Sequence, residues 1–489
     1  MRMEYGISGM KVYVPRPRVQ LEKWCEWTGG HWGKTKAVVG NSFRMKAPHE
    51  SIYTMAANAV LRLLIDYQVD PARVGFLGFG TESSTDNSAG AVIVKGMVNR
   101  ALRQLGQPEL PRHCEVPELK HACLGGVYAL KGALRYLAHD GEGRLAIVVC
   151  GDIAEYERGS SGEPTQGAGA VAMLVEEQPA LLSLDLRRSG SAAAYRGPDF
   201  RKPTRRYFMD GYARHADKLH DFPVFSGKYS TICYVDATVR ALEDMLTQMR
   251  VTPRNFYHGI EAVFMHRPYR HMPINAMAAL YTWGLAHAGA HLPELSKLCE
   301  GAGVQLDQVI KEMRSHPDLF EQVLQGNGGT DVYGNAMKAV RFFRSTDKFK
   351  EVVEHKMALG SALMMEMGNL YSASLPAWIA AGFTEAAQDP ERDLANKEVL
   401  LVGYGSGDAS EAIPARVQPG WRDAARRIGF QQCLEAGVDL DQGQYEALHD
   451  RGELDMSLPA SGEFVIERIG DRMDADFQDI GLEYYQYVP

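Results

Sequence analysis

Apolar and polar positions change period several times along this chain, and each change marks an element. Gly6 to Val14 carries a short strand pattern, and from Ser51 to Tyr67 the apolar residues Met55, Ala59, Leu61 and Leu64 recur at helical spacing. Val74 to Gly80 is a glycine-rich apolar run of buried-strand type that ends in the polar stretch Thr81-Glu82-Ser83-Ser84-Thr85-Asp86. A second helix covers about Gly90 to Leu105. A third opens at His121-Ala122-Cys123-Leu124-Gly125-Gly126, with Cys123 in its first turn, and continues through Ala129, Leu130 and Leu137. Leu145 to Cys150 is another buried-strand run and leads into Gly151-Asp152-Ile153; Gly162 to Gly169 reads as a tight loop and Ala170 to Val175 as a strand. Helices alternating with apolar strands predict an α/β fold around a buried, largely parallel sheet.

The order of elements then repeats, although the letters do not. Ile260 to Met265 is an apolar strand ending in His266, as the earlier strand ended near Glu82. Gly368-Asn369-Leu370-Tyr371-Ser372-Ala373-Ser374 opens an apolar helix through Trp378, Ile379 and Phe383, and Val399 to Val402 is a strand running into Gly403-Tyr404-Gly405-Ser406-Gly407. A closing strand pair lies near Phe464 to Ile469 and Tyr484 to Val488. The pattern divides the chain into residues 1–176 and 177–489, two similar halves whose functional loops face one another, because ligands of such sheets collect where strands end and helices begin. Arg187 to Lys228 reads as loops and short helices over the site, and Leu292 to Lys356 as charged outer helices without a motif.

Composition narrows the class. An apolar content of 45% over 489 residues is that of a globular chain, and a net charge of -8 argues against a general nucleic-acid binder despite the basic pairs Arg201-Lys202 and Arg205-Arg206. No apolar run reaches membrane-spanning length, so a soluble cytoplasmic protein is expected. Seven scattered cysteines without a Cys-x-x-Cys indicate neither a disulfide frame nor a zinc site.

Two readings fit Cys123 taken alone. Unsatisfied N–H groups and the helix dipole would favour a reactive thiolate there, and Ala122, Gly125 and Gly126 would leave room for a substrate; for the motif alone a buried inert thiol packed on glycines is the favoured reading, since free cysteine is among the most buried residue types. Glu82 and His266 divide in the same way between catalytic and ordinary structural roles. Three loops bringing them to one face would unite a thiolate nucleophile, a carboxylate base and an imidazole, a set suited to acyl-thioester chemistry. Gly403-x-Gly405 falls short of a dinucleotide loop, and Walker A, His-Glu-x-x-His and Gly-x-Ser-x-Gly motifs are absent.

These residues resemble the hydroxymethylglutaryl-CoA synthases of the thiolase superfamily. Gly80-Thr81-Glu82-Ser83 with Asp86 is similar to the family's general-base loop and Ala122-Cys123-Leu124-Gly125-Gly126 to its nucleophile motif. Asp152-Ile153-Ala154, Gly162 to Met173, Asp199-Phe200 with Pro203, and Ser230 resemble its substrate-site loops. His266-Arg267-Pro268-Tyr269, Gly368-Asn369-Leu370-Tyr371 and Tyr404-Gly405-Ser406-Gly407 resemble three further motifs. The resemblance implies a thiolase fold, five αβαβα layers built from two similar halves, in a homodimer. It implies condensation of acetyl-CoA with acetoacetyl-CoA to 3-hydroxy-3-methylglutaryl-CoA for the mevalonate route to isoprenoids, with no metal or redox cofactor. Cys123, Glu82 and His266 are then catalytic. Asn369, Tyr371, Ser406, Ser230, Thr165 and Gly405 bind substrate, and Asp86, Asp152 and Asp199 support them.

Departures from the family pattern concern the grip on CoA. Leu124 follows the nucleophile where the family usually carries a polar or aromatic residue, and His271 and Asn275 stand where it tends to carry phosphate-binding lysines. Arg201, Arg267, Arg270 or His271 could supply the charge. The same loss fits a relative that takes acyl groups from acyl carrier proteins to install β-branches in polyketides. An inactive thiolase-fold scaffold is the third reading.

Overall fold

The computed structural model describes residues 3–202, 222–329 and 331–489. Ten strands form its principal sheet: β1 Tyr5–Tyr13, β2 Val74–Gly80, β3 Glu118–Leu119, β4 Leu145–Ala154, β5 Gly167–Glu177, β6 Leu182–Leu184, β7 Gly190–Ala193, β8 Ile260–Met265, β9 Glu398–Gly405 and β10 Ala409–Val417. Their spatial order is β8-β9-β10-β6-β1-β5-β4-β2-β3, with β7 added to β10. The main helices are α1 Ile52–Asp66, α2 Gly90–Gln104, α3 Gly125–His139, α4 Gly227–Met249, α5 His271–His287 and α6 Ser374–Gln388.

The repeat seen in the element order is also a repeat of pairing. β2 lies parallel to β4, β4 antiparallel to β5 and β5 antiparallel to β1. In the second set β8 is parallel to β9, β9 antiparallel to β10, and β10 antiparallel to β6 and β7. The sheet is therefore mixed and not largely parallel. The reason lies in the connections: β4 reaches β5, and β9 reaches β10, without the helical crossover that a parallel neighbour requires. β7 is a strand within the stretch expected to hold loops and short helices; Pro203 and the pair Arg205-Arg206 lie outside the described residues.

Alternating side chains on the strands build separate cores. Ile147 and Val149 of β4 pack with α1 and α2, whereas Ala146, Val148 and Cys150 point to the opposite face, where α3 lies. Burying a side chain of this size contributes roughly 2 kcal/mol, so a one-residue slip would exchange both faces at once and the register is strongly specified. α6 packs against β8 and β9 and also reaches β1 and β5, which sets it beside α3 between the two repeats. With α4 and α5 outside the second repeat, the layers run αβαβα. Four helices lie between Leu292 and Phe343, as the charged helical pattern predicted, and three of them, Leu292–Ala302, Leu306–Arg314 and Gly334–Phe343, pack against α5. The closing pair forms as Glu463–Ile469 against Glu483–Val488 and buries Phe464 among the side chains of α1 and α2. Among the described residues no helix is long and apolar enough to cross a membrane.

Candidate active site

Each repeat delivers its polar residues at the same edge of the sheet. Glu82 follows β2, Cys123 precedes α3, His266 follows β8, Asn369 precedes α6 and Ser406 follows β9. Cys123, His266, Asn369, Tyr371, Ser406, Ser230, Thr165 and Asp199 line one cavity of about 130 Å³, whose walls are otherwise largely aromatic.

The nucleophile turn is tighter than the sequence suggests. Leu124 caps α3 and Gly125 is its first helical residue, so Cys123 stands just ahead of the helix and not in its first turn. Ala122 adopts φ +42°, a left-handed conformation uncommon for a side chain with a Cβ. Gly125 and Gly126 serve packing and not substrate access. A Cβ on Gly125 would lie 2.5 Å from the Leu119 carbonyl, and one on Gly126 2.3 Å from Cys150 Sγ. Their bare backbones let α3 press onto β2 and β4.

The thiol donates a hydrogen bond to Glu82 Oε2 at 3.2 Å. Burial, and then the Glu82 charge beside it, push the Cys123 thiol well above its ordinary range, with Asp152 and Asp199 adding to the effect. The expectation of an easily ionised thiol is thus corrected: Cys123 is only 8% exposed, and desolvation and nearby carboxylates outweigh the helix dipole. Burial and then Asp152 raise Glu82 to about 7, so it changes charge in the neutral range.

Asp152 ties the two repeats together beneath this pair. Its Oδ1 accepts from Thr81 Oγ1, from the backbone N–H groups of Glu82 and Ser83 and from Ser83 Oγ, while Oδ2 accepts from the N–H and hydroxyl of Ser372. Asp86 is not among the residues lining the cavity; its carboxylate accepts from the Ala89 N–H just ahead of α2 and from the Tyr53 hydroxyl.

Opposite the thiol, the backbone N–H of His266 donates to the Val402 carbonyl at 2.8 Å, and the imidazole ring stacks on Tyr404. Burial lowers this imidazole to about 3, so it is neutral near pH 7, and its Nδ1 has no partner among the described residues. Asn369 Nδ2 donates to the Tyr156 hydroxyl at 3.2 Å, and its Oδ1 accepts from the Tyr371 N–H. Ser230 Oγ is buried and has no partner among the described residues, and Thr165 Oγ1 donates to the Gly162 carbonyl. Gly405 lets β9 close on the nucleophile turn: a Cβ there would lie 2.6 Å from the His121 carbonyl.

The four candidate phosphate partners separate. Arg267 is buried, lies over the Trp378 ring and donates to Ser361 Oγ, so its guanidinium is part of the core and cannot reach a phosphate in solvent. His271 lies against the Arg344 guanidinium, and burial together with that charge lowers it to about 4, leaving no positive charge to offer. Arg201 is exposed beside Phe200, and Arg270 is partly exposed with one bond to the Ala37 carbonyl.

Sequence reading named Tyr371 and Phe200 but passed over Tyr156 and Phe225, and with them the aromatic wall that the four side chains form. Tyr156, Phe200, Phe225 and Tyr371 meet edge-on or stacked around Cys123. Their positions, scattered over 200 residues and without a shared spacing, carry no linear signal. Among the described residues one acidic group with a cysteine is drawn close together, Asp199, Cys233 and Asp408, and the Arg196 guanidinium already brings positive charge there, 3.8 Å from Asp408.

Two α/β repeats in five layers, with a cysteine at the entrance of an inner helix and polar loops from both repeats around it, define a thiolase-fold acyl-transfer protein. The hydroxymethylglutaryl-coenzyme A synthase N-terminal family model matches residues 2–179. The hydroxymethylglutaryl-CoA synthase of Haloferax volcanii is 30% identical over 404 residues, 82% of this chain and 81% of that protein. That of Saccharomyces cerevisiae is 27% identical over 448 residues, 90% and 81% of the two chains. The chain belongs to the hydroxymethylglutaryl-CoA synthase family. In fold it resembles MvaS in complex with 3-hydroxy-3-methylglutaryl coenzyme A, with a TM-score of 0.77 at 24% identity over the full length of both. It also resembles the HMG synthase of the curacin biosynthetic pathway in complex with acetyl donor-ACP, with a TM-score of 0.69 at 18% identity over 99% of this chain and 100% of that one.

Proposed function

We propose that this protein condenses acetyl-CoA with acetoacetyl-CoA and hydrolyses the product thioester, giving 3-hydroxy-3-methylglutaryl-CoA and CoA. The observation that carries the reading is the Cys123 thiol 3.2 Å from Glu82 Oε2, beside a cavity shared with His266 and Asn369. The Cys123 sulfur attacks the acetyl-CoA carbonyl and its proton leaves with the CoA thiol. N–H groups at Cys123 and Ser406 hold the acyl oxygen. Glu82, ionised above about pH 7, takes a proton from the acetyl methyl, and the carbanion attacks the ketone carbon of acetoacetyl-CoA. His266, neutral, orients the acceptor oxygen by a hydrogen bond and not by charge. Water then frees the product from Cys123. The reading extends to a homodimer in the cytoplasm serving the mevalonate route.

A second reading, transfer from an acyl carrier protein, gains support from the buried Arg267 and the neutral His271, which leave Arg201 and Arg270 as the cations available among the four candidates. The test is product formation from acetoacetyl-CoA with acetyl-CoA, acetyl-pantetheine or acetyl carrier protein as donor, read by mass spectrometry. The CoA reading predicts fast turnover with acetyl-CoA and much slower turnover with acetyl-pantetheine. Equal rates for those two, with the carrier protein fastest, would replace it by the second reading, and no product from any donor would refute both.

A further inference from the structure

We propose that Asp199 delivers the proton gained by the acceptor's oxygen, and that Asp408 is a positioning residue that holds this proton in place by sharing it. The proposal rests on the condensation reading above. Asp199 lines the cavity, is 1% exposed, and accepts a hydrogen bond from the Tyr404 hydroxyl at Oδ2 (2.9 Å). Its Oδ1 has no partner among the described residues; nor does Oδ2 of Asp408, which is 4% exposed. One oxygen of each carboxylate lies within 4.8 Å of the other and of Cys233 Sγ. Two carboxylates buried side by side repel when both are charged, so the pair keeps one proton near neutral pH, and that proton gives an orphaned oxygen a partner.

The surroundings support a shared proton. Burial and then Asp199 raise Asp408 to about 9. Cys233, Tyr229 and Tyr404 are all pushed up, chiefly by burial, and stay neutral. Arg196 Nε, which has no hydrogen-bond partner among the described residues, lies 3.8 Å from Asp408 Oδ2 and favours its charged form, but burial and the Asp199 charge outweigh it; the terminal Arg196 nitrogen is bound to Asp236. The Arg201 guanidinium bonds to the Asp199 carbonyl, not to its carboxyl. Across the cavity, Cys123 carries the acyl group at this stage, and His266 is a neutral imidazole, a weak acid.

As the new carbon–carbon bond forms, the ketone π pair moves onto oxygen, which bonds to the shared proton while the Asp199 O–H bond breaks. Glu82 has by then gained the methyl proton, so the net charge of the site is unchanged. Solvent returns that proton from Glu82 to the dyad as product leaves.

The test uses full-length enzyme and reads condensation on pre-acetylated Cys123 as a function of pH. Wild type should lose rate as pH rises through about 9, where the dyad gives up its proton. Asp408→Asn cannot hold the shared proton, so the alkaline limb should no longer lie near 9 and kcat at pH 8 should fall about 100-fold, with KM for acetoacetyl-CoA little changed. Asp408→Glu should restore the limb. Acetylation of Cys123 in each variant reports that it is folded. A wild-type rate that stays flat through this range overturns the proposal without any variant, as does a wild-type limb in Asp408→Asn. Failure of wild type to make the product would instead refute the condensation reading.

Discussion

Replacing Glu82 by Gln should make Cys123 easier to ionise while abolishing carbon–carbon bond formation. Glu82 is ionised above about pH 7, and its carboxylate lies 3.2 Å from the sulfur. Two unit charges at that distance repel by about 5 kcal/mol at an effective dielectric of 20. If half of this is recovered when the carboxylate becomes an amide, the thiolate population at fixed pH rises about 100-fold, since 1.4 kcal/mol is a factor of ten. The assay is iodoacetamide alkylation of Cys123 at pH 8, followed by peptide mass in wild type and variant. Alkylation of Glu82→Gln should be faster by one to two orders of magnitude on the same Coulomb argument. Acetylation by acetyl-CoA should persist, whereas condensation should fall roughly 10³-fold for want of a base. Alkylation as slow as wild type or slower would refute the electrostatic reasoning, and normal condensation would remove Glu82 from its role.

Other consequences are more local. Asp152→Asn removes the charge that helps raise Glu82, so the acid limb of the condensation pH profile should move below pH 7, at reduced rate because the Glu82 loop loses its charged anchor. Gly126→Ala drives a Cβ to within 2.3 Å of Cys150 Sγ and should cost about 1–3 kcal/mol in a denaturant titration. His266 is lowered to about 3 from an ordinary 6.5, so the stability from keeping it neutral is present above pH 6.5 and is lost as pH falls toward 3. The loss is about 1.4 kcal/mol per pH unit, and urea unfolding of His266→Asn should be less acid-sensitive than that of wild type. Neutralising Arg270 should raise KM for CoA thioesters in a salt-dependent way and spare kcat.

What could be read from the linear sequence was whatever depends on near neighbours. β2 and β8 stand where their apolar runs begin and end, and α1 starts after Ser51, whose side chain and that of Thr54 form a capping box. Glycine and polar punctuation after each strand also announced the loops that carry Glu82, His266 and Ser406. Strand direction was less legible, because an apolar run reads alike in either orientation; the clue was the missing helix between β4 and β5. Within the site, burial decided what residue type could not. Cys123 appeared activated because a helix followed it, and its environment proved to be a desolvated pocket shared with three carboxylates. Arg267 and His271 appeared to be phosphate partners by position, yet one is packed on Trp378 and the other on Arg344. The Asp199–Asp408 pair joins residues more than 200 positions apart, which no local pattern announces.

The central claim, a two-stage reaction through an acyl-cysteine, is tested most directly by a single-turnover experiment with isotopically labelled acetyl-CoA. The enzyme is labelled, stripped of free acetyl-CoA, digested and weighed before and after addition of unlabelled acetoacetyl-CoA. The account predicts one labelled acetyl group on the Cys123 peptide, none in Cys123→Ser, and transfer of that label into 3-hydroxy-3-methylglutaryl-CoA when the second substrate is added. Label on another cysteine, or label that remains on Cys123 while product forms without it, would contradict the account.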